Sequence, residues 1–336
     1  MFEPGTHMHI QTLKQLARTG LLAAGVAATA AFAQSPEPWP SRPLRVVVPY
    51  VAGAMGDVVT RRVADGLRTE LGQTIVVENR PGAGGNIGTR AVEQAAPDGY
   101  TVLVAATNNF TINQFLYKDL GFDPLKRLDP VTVLVDVPSV LFVPAGVAAQ
   151  NFREFVAFAK ANPGKVNYGS PGSGTTPHLS AEAINKAHGL GMTHVPYKGA
   201  SQVVTALLAG EVQFYLAGAG VGAAHVKAGK LRALAVASKA RLEALPEVPT
   251  FNEAGLGGIN ASNWWGVAVP AGTPKAVVER LHAAFCKALM EPATRAAMVQ
   301  MGNVPACGSP ADTQRQFAEE AAAWQRVLPT LGVKVD

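Results

Sequence analysis

Three glycine-rich turns, each set between a short apolar run and a helical stretch, constrain this chain more than any other feature. They are Pro49–Asp57, Asn79–Gly88 and Tyr168–His178. A strand that passes through a tight turn into a helix, again and again, builds parallel sheets with helices on their faces. Leu44–Tyr50, Thr74–Glu78 and Tyr100–Ala105 read as strands, with helices over Asp57–Leu71 and Ile87–Gln94 between them. Val131–Val135 and Val140–Val143 are further strands, close together around Asp136-Val137-Pro138-Ser139. Asn151 and Glu154 have the spacing of a capping box and open a helix that runs to about Asn162.

A second set follows. Lys165–Tyr168, Met192–Pro196, Glu211–Leu216 and Arg232–Ala237 read as strands, and Leu179–His188 and Ser201–Leu208 as helices. The chain returns to a strand near Trp264-Trp265-Gly266-Val267-Ala268-Val269. Beyond it, Thr273-Pro274 and Ser309-Pro310 each place a cap residue before a proline, and the rest is helical from about Lys275. The helical C-terminus must cover a sheet that needs both faces buried. The reading is therefore α/β with two domains: residues 42–138 plus 264–336 form a discontinuous first domain, and residues 139–263 are inserted as the second. Crossings near Val135–Ser139 and Ser262–Trp265 would act as hinges around a ligand cleft.

The N-terminus carries a targeting pattern. Lys14 and Arg18 precede an apolar stretch of small residues, Leu21 to Ala31, and Ala31-Phe32-Ala33 has the form of a signal-peptidase site. Cleavage after Ala33 leaves 34–336 as an exported, periplasmic chain, and Met8 is an equally good start codon. No other run reaches the roughly 20 apolar residues of a membrane helix. With 48% hydrophobic and 16% charged residues the mature chain is globular, and its size calls for more than one core. The formal charge of +5 becomes +4 once Glu3, Lys14 and Arg18 leave, spread along the chain without a basic-aromatic cluster. That argues against nucleic acid as a partner, and suits anionic solutes. Cys286 and Cys307 either pair in an oxidising compartment or remain two half-buried thiols; the sequence leaves both open.

The glycine turns carry the chemistry. Glycine lets a ligand approach main-chain N–H groups, and the helix that follows supplies free donors and a positive dipole end. Two such turns facing each other across a hinge would hold a carboxylate without a charged side chain. The candidate ligand-binding residues are Tyr50, Ala52, Gly53, Met55, Gly56 and Asp57 from the first turn, with Thr107 and Asn108. From the third turn come Ser170, Gly172, Ser173, Gly174, Thr175, Thr176 and His178, and beyond it Tyr197 and Ala217. Asp57 reads first as an N-cap. Ser173 and Thr175 would donate to the ligand or cap the helix after them, with His178 packed in its first turn. His194 reads as a core histidine, and Trp264 and Trp265 divide between core and pocket wall.

Other chemistries fit poorly. Gly82–Gly88 is spaced GxGxxxG, not GxGxxG, and no acidic residue closes the next strand as a dinucleotide site requires. Ser173 and His178 lack a nucleophile elbow and an orienting Asp. No Cys/His/Asp/Glu set has zinc or calcium spacing. No cofactor, no metal and no catalysis are expected.

The motifs Val76-Val77-Glu78-Asn79-Arg80-Pro81-Gly82-Ala83-Gly84-Gly85-Asn86 and Ala96-Pro97-Asp98-Gly99-Tyr100-Thr101 resemble those of the Bug family, the periplasmic solute receptors of tripartite tricarboxylate transporters. So do the Tyr168–Leu179 loop, His194-Val195-Pro196-Tyr197-Lys198-Gly199, Ala228–Ala235, Pro249–Gly255 and Pro270–Pro274. The resemblance runs from about Trp39 to the C-terminus. It implies a two-domain periplasmic-binding-protein (Venus flytrap) fold that closes on its solute, with loops 49–57 and 170–178 holding a carboxylate through main-chain N–H groups and bridging waters. The implied partners are a small di- or tricarboxylate or aromatic acid and the membrane subunits of the transporter, with the receptor acting as a monomer. An alternative role for the same fold is to present its ligand to a membrane two-component kinase. Two departures stand out: Ala52-Gly53-Ala54-Met55-Gly56 replaces the family's usual Pro-Gly-Gly, and the acidic residues often found near Gln213–Ala217 are missing. Both make the site less polar and favour a dicarboxylate with an apolar or aromatic middle.

Overall fold

In chain order the elements are β1 (Leu44–Val48), α1 (Met55–Leu71), β2 (Ile75–Asn79), a 3₁₀ turn (Ala83–Gly85), α2 (Asn86–Glu93) and β3 (Thr101–Ala106). The short helices α3 (Thr107–Thr111), α4 (Asn113–Leu116) and α5 (Pro124–Arg127) lead to β4 (Leu128–Asp136). There follow β5 (Ser139–Pro144), α6 (Phe152–Ala161), β6 (Asn167–Ser170), α7 (Thr176–His188), β7 (Thr193–Pro196) and α8 (Ala200–Ala209). Next come β8 (Phe214–Gly218), α9 (Ala219–Lys227), β9 (Leu231–Ala237) and β10 (Trp264–Pro270). The chain ends with α10 (Lys275–Met290), α11 (Pro292–Gln300), β11 (Val304–Pro305) and α12 (Pro310–Leu331). This computed structural model describes residues 1, 39–259, 261, 263–333 and 335. The leader expected over 1–33 lies outside the described residues except for Met1, as do its cleavage after Ala33 and Ser262. No helix among the described residues is long and apolar enough to cross a membrane.

The strands form two sheets, in the orders β11-β4-β10-β3-β1-β2 and β7-β6-β8-β5-β9. In the first, β1 pairs in parallel with β2 and β3, while β10 inserts antiparallel between β3 and β4. In the second, β6 pairs in parallel with β7 and β8, and β5 runs antiparallel to β8 and β9. The patterns β2-β1-β3 and β7-β6-β8 are equivalent, so β1 and β6 hold the same position in their sheets. Central parallel strands are buried on both faces, which explains the continuous Val46-Val47-Val48 run, wholly buried here.

The chain crosses between the sheets at Val137-Pro138 and again just before Trp264. The crossings run side by side: Val137 N–H donates to the Asn263 carbonyl (2.7 Å) and the Ser139 hydroxyl to that of Ala261 (3.1 Å). Trp264 is core, not a cleft aromatic. Its ring stacks on Phe317 at 4.6 Å and on Phe110 at 5.6 Å, and its indole N–H donates to the Glu320 carboxylate at 2.9 Å. Strand alternation turns Trp265 the other way, edge-on to Tyr50 at 5.2 Å.

Helix starts follow the caps with two corrections. Asn151 accepts the Glu154 N–H (2.9 Å) and Ser309 accepts that of Asp312 (3.1 Å), as their spacing predicts. Thr273 does not cap α10; its hydroxyl donates back to the Pro270 carbonyl (2.7 Å), and Pro274 takes the cap position. Asp57 is not the cap of α1 either, because the helix starts at Met55 and Ala54 holds the cap position.

Helix α12 touches both halves. Phe317 belongs to the core under the first sheet. Farther along, Trp324, Leu328 and Leu331 cluster with Ile112 and Leu116 and with Leu179 from the second half. The Lys186 ammonium donates to the Thr330 carbonyl (3.0 Å) and to that of Leu331, satisfying the last acceptors of the helix. Leu179 is fully buried in this shared cluster. Leu179→Ala is therefore expected to cost about 2–5 kcal/mol in a urea unfolding curve, as for an ordinary core leucine. A loss below about 1 kcal/mol would mean that the shared cluster opens in solution.

Candidate functional site

Loop 49–57 leaves the end of β1 and loop 170–178 the end of β6, the equivalent central strands of the two sheets. Ligands of open α/β sheets sit beyond the carboxyl ends of such strands, where connections leave on opposite sides. The first bond within α1 runs from Val58 N–H to the Ala54 carbonyl (3.0 Å). That leaves the Met55, Gly56 and Asp57 N–H groups without an intrahelical acceptor. In α7 the corresponding bond runs from Leu179 N–H to the Thr175 carbonyl (3.0 Å), which frees the N–H groups of Thr176 and His178; Pro177 has none. Each loop thus ends in a positive helix terminus suited to an anion.

The side chains around these donors mostly serve the loops themselves. The Asp57 carboxylate accepts from Gly53 N–H (2.8 Å) and Arg61 Nε (2.8 Å), folding the first turn onto its own helix. Burial disfavours its charge, but the bonds from Arg61, Gly53 and Asn79 outweigh that and hold the carboxyl below its usual range. Gly56 is fixed by sterics: a Cβ there would fall inside the Trp265 ring. Ala52 and Gly53 are exposed, and Met55 is half-buried with its sulfur 3.4 Å from Asn303 Nδ2.

Tyr50 is anchored by an asparagine cluster. Its hydroxyl lies 3.1 Å from Asn108 Oδ1 and 2.7 Å from Asn109 Oδ1, and burial raises its pKa. The amides of Asn108 and Asn109 both donate to the Gly84 carbonyl (3.0 and 3.1 Å), and Asn113 joins them at 3.3 Å. The second glycine turn is therefore held by the platform beneath Tyr50. Thr107, a candidate ligand residue, does not face a cleft: its hydroxyl accepts from Trp264 N–H (2.8 Å) and donates to the Trp264 carbonyl (3.2 Å). It clamps β10 to the end of β3.

In the third turn only Ser173 has an exposed side chain. The Thr175 hydroxyl donates to the Gly172 carbonyl (2.7 Å), so it neither caps α7 nor points outward. Ser170 is fully buried and bonds to the Gly172 carbonyl (3.0 Å) and to His194 Nε2 (2.7 Å). One consistent arrangement has His194 donating to Ser170 and Ser170 donating to Gly172. His178 stacks on His194, ring centres 3.7 Å apart, and its Nδ1 accepts the Gly174 N–H (3.0 Å). Burial, then the neighbouring His194, pushes the His178 pKa down to about 3; burial also lowers that of His194. Both shifts favour the neutral rings, which bond to Gly174 N–H and to Ser170 within the turn. Gly174, at φ +76°, meets the first half directly, since a Cβ there would sit 2.6 Å from Leu116 of α4.

Thr176 is buried at the start of α7, placing its N–H beside the turn. Tyr197 is half-buried, with its N–H on the Ser170 carbonyl (2.9 Å), backing the loop from the β7 side. Ala217 does not belong to a cleft wall: it is 3% exposed, paired with Val140, and its methyl lies in the core of the second half. Sequence reasoning missed Asn109, Asn113 and Asn303. The first two are visible as a run of asparagines just after a strand. Asn303 is buried, and its Oδ1 has no partner among the described residues. Its neighbour Gly302 lies against Ala219 and Gly220, so this corner also joins the two halves. A groove of about 680 Å³ runs along α1 from Asp57, lined by Arg61, Arg62, Asp65 and Glu291, and receives no residue of loop 170–178.

Residues 59–333 match the model of the tripartite tricarboxylate transporter family receptor. A UPF0065 protein of Bordetella bronchiseptica is 36% identical over 332 residues, covering 98% of both chains. The structure of the periplasmic binding protein BugD is similar at 32% identity and a TM-score of 0.77, over 88% of this chain and 99% of that one. A Rhodopseudomonas palustris protein solved with adipate gives 32% identity and a TM-score of 0.79, over 88% and 99%. MatC of the same species, solved with malate, gives 29% and 0.77, over 86% and 100%. The fold, the two equivalent loops and these similarities lead to one conclusion: the chain belongs to the tripartite tricarboxylate transporter receptors of the Bug type, a family of receptors and not of enzymes.

Proposed function

We propose that this chain is a periplasmic receptor that closes on a small dicarboxylate and delivers it, as a monomer, to the membrane subunits of a tripartite tricarboxylate transporter. The lobes would be residues 42–138 plus 264–336 and residues 139–263, swinging about the paired crossings. The carrying observation is the equivalence of β1–loop–α1 and β6–loop–α7, each ending in free helix N–H groups. A carboxylate between them is bound by main-chain donors and two helix dipoles, with no need of an Arg or Lys. A ligand gripped by both lobes binds the closed state better and shifts the population toward it by that difference.

The substrate class follows from what surrounds the donors. Tyr50, Met55 and Trp265 give the first loop an apolar flank, and the adaptable Met55 tolerates different chain lengths. Adipate in one relative and malate in another support a dicarboxylate; the flank favours the more apolar of the two. The unpartnered Asn303 Oδ1 beside Met55 suits a bridging water or a ligand hydroxyl.

Met55→Pro removes a single N–H at the first helical position, where proline is tolerated and where Ala54, at ψ 162°, is already in the conformation that precedes proline. Its affinity for adipate or malate by calorimetry is expected to fall about 10- to 100-fold relative to Met55→Ala, the loss of about 1.5–3 kcal/mol for a hydrogen bond to a charged group. Equal affinities would place the carboxylate elsewhere.

Acid should loosen the second-lobe loop. The folded pKa of His178, about 3, lies below its unfolded value of about 6.5, so the neutral ring's stabilising contribution is complete above pH about 6.5. It is lost progressively, by about 1.4 kcal/mol per pH unit, as pH falls toward about 3. Urea unfolding at pH 7 and pH 4.5 should show a smaller acid loss for His178→Gln than for the wild-type chain. The same loss in both would remove His178 from the account.

A further inference from the structure

Cys286 and Cys307 are joined by a disulfide with Cα atoms 5.7 Å apart, tying α10 to the segment between β11 and α12. His282 stands one turn before Cys286 on α10, with its Nε2 3.4 Å from the Cys286 sulfur. The ligand atoms of His282, Cys286 and Cys307 all lie within 4.8 Å of one another, and all three residues are half-buried. We infer that this corner is a redox-gated metal site: once the disulfide is reduced, Cys286, Cys307 and His282 bind a thiophilic d¹⁰ cation such as zinc(II), with water in the fourth position.

The geometry needs little change. In a tetrahedral zinc site with bonds of about 2.3 Å to sulfur and 2.0–2.1 Å to nitrogen, neighbouring ligand atoms stand roughly 3.5–3.8 Å apart. The His282–Cys286 separation of 3.4 Å is already close to this, and the two sulfurs must part. His282 Nε2 now lies 3.1 Å from the Gly308 carbonyl. Metal binding moves the ring proton to Nδ1 and breaks that contact, but the carbonyl keeps the Thr132 hydroxyl at 2.9 Å and is not orphaned. The chemistry balances with an external dithiol. It supplies two electrons and two protons and leaves as its own disulfide, freeing two thiols; the cation then displaces both protons and binds the thiolates.

The site would exchange one crosslink for another. Asn303 and Gly302, which contact Met55 and the start of α9, lie just upstream of Cys307. Either the disulfide or the metal holds that segment in place; the reduced, metal-free chain has neither tie.

The test titrates zinc(II), and separately cobalt(II), into the full chain after phosphine reduction, with a chromophoric chelator as competitor and circular dichroism to confirm folding. The reduced wild-type chain should take up one zinc, and its cobalt form should show thiolate charge-transfer bands and the strong visible bands of a tetrahedral site. The oxidised chain should show neither, and reduced His282→Ala should bind at least 10-fold more weakly with an altered cobalt spectrum. Uptake by the oxidised chain equal to that of the reduced one would overturn the inference. So would a folded reduced chain that binds no more zinc than Cys286→Ser/Cys307→Ser, or a His282→Ala variant with unchanged affinity and spectrum.

Discussion

The hydrogen-bonded pair between Thr107 and the Trp264 backbone is the contact on which the rest of the arrangement depends. It fixes β10 antiparallel against the end of β3, so the chain returns from its second half into the middle of the first sheet. The return brings two consequences, one on each face of the strand. Trp264 fills the core under α12, stacked on Phe317 and Phe110, while Trp265 lies against Gly56 and Tyr50 at the mouth of the first loop. Because side chains alternate along a strand, one register choice settles both the core and the loop wall.

From that point the loops explain each other. Tyr50 rests on Asn108 and Asn109, which hold the Gly84 carbonyl, so the second glycine turn braces the first. The third turn is braced by His178 and His194 from beneath and meets Leu116 at Gly174. Side chains in both loops are spent on holding main-chain N–H groups in place. On the proposed reading this is preorganisation: the donors are oriented before an anion would arrive, and binding need not order them.

How much of this was legible in the sequence depended on the range of the interaction. Period and turn chemistry are local, so strands β1 to β10, the Asn151 and Ser309 caps and the two-sheet α/β architecture are legible in short stretches, while the two-residue β11 inside the helical C-terminus is not. Asp57 misleads because a carboxylate in the first turn resembles a cap, whereas its bonds run to Gly53 and Arg61. For Thr107 and Ala217, nothing local reveals that one hydroxyl meets a strand 157 residues away, or that one methyl faces a core. Helix α9 went unread since Gly220 and Gly222 argue against a helix; Gly222 is there because the Phe142 ring occupies the space of a side chain. The end of α12 against Leu179 was likewise invisible, being contact between segments far apart in the chain.

In the proposed receptor, main-chain N–H groups from both lobes, and not a charged side chain, hold the carboxylate. A crystal structure of the chain with adipate tests it most directly. One carboxylate is expected with its oxygens about 3 Å from N–H groups at the starts of both α1 and α7, directly or through one water. A ligand held from one lobe alone, or paired with an Arg or Lys side chain in place of these donors, would contradict it.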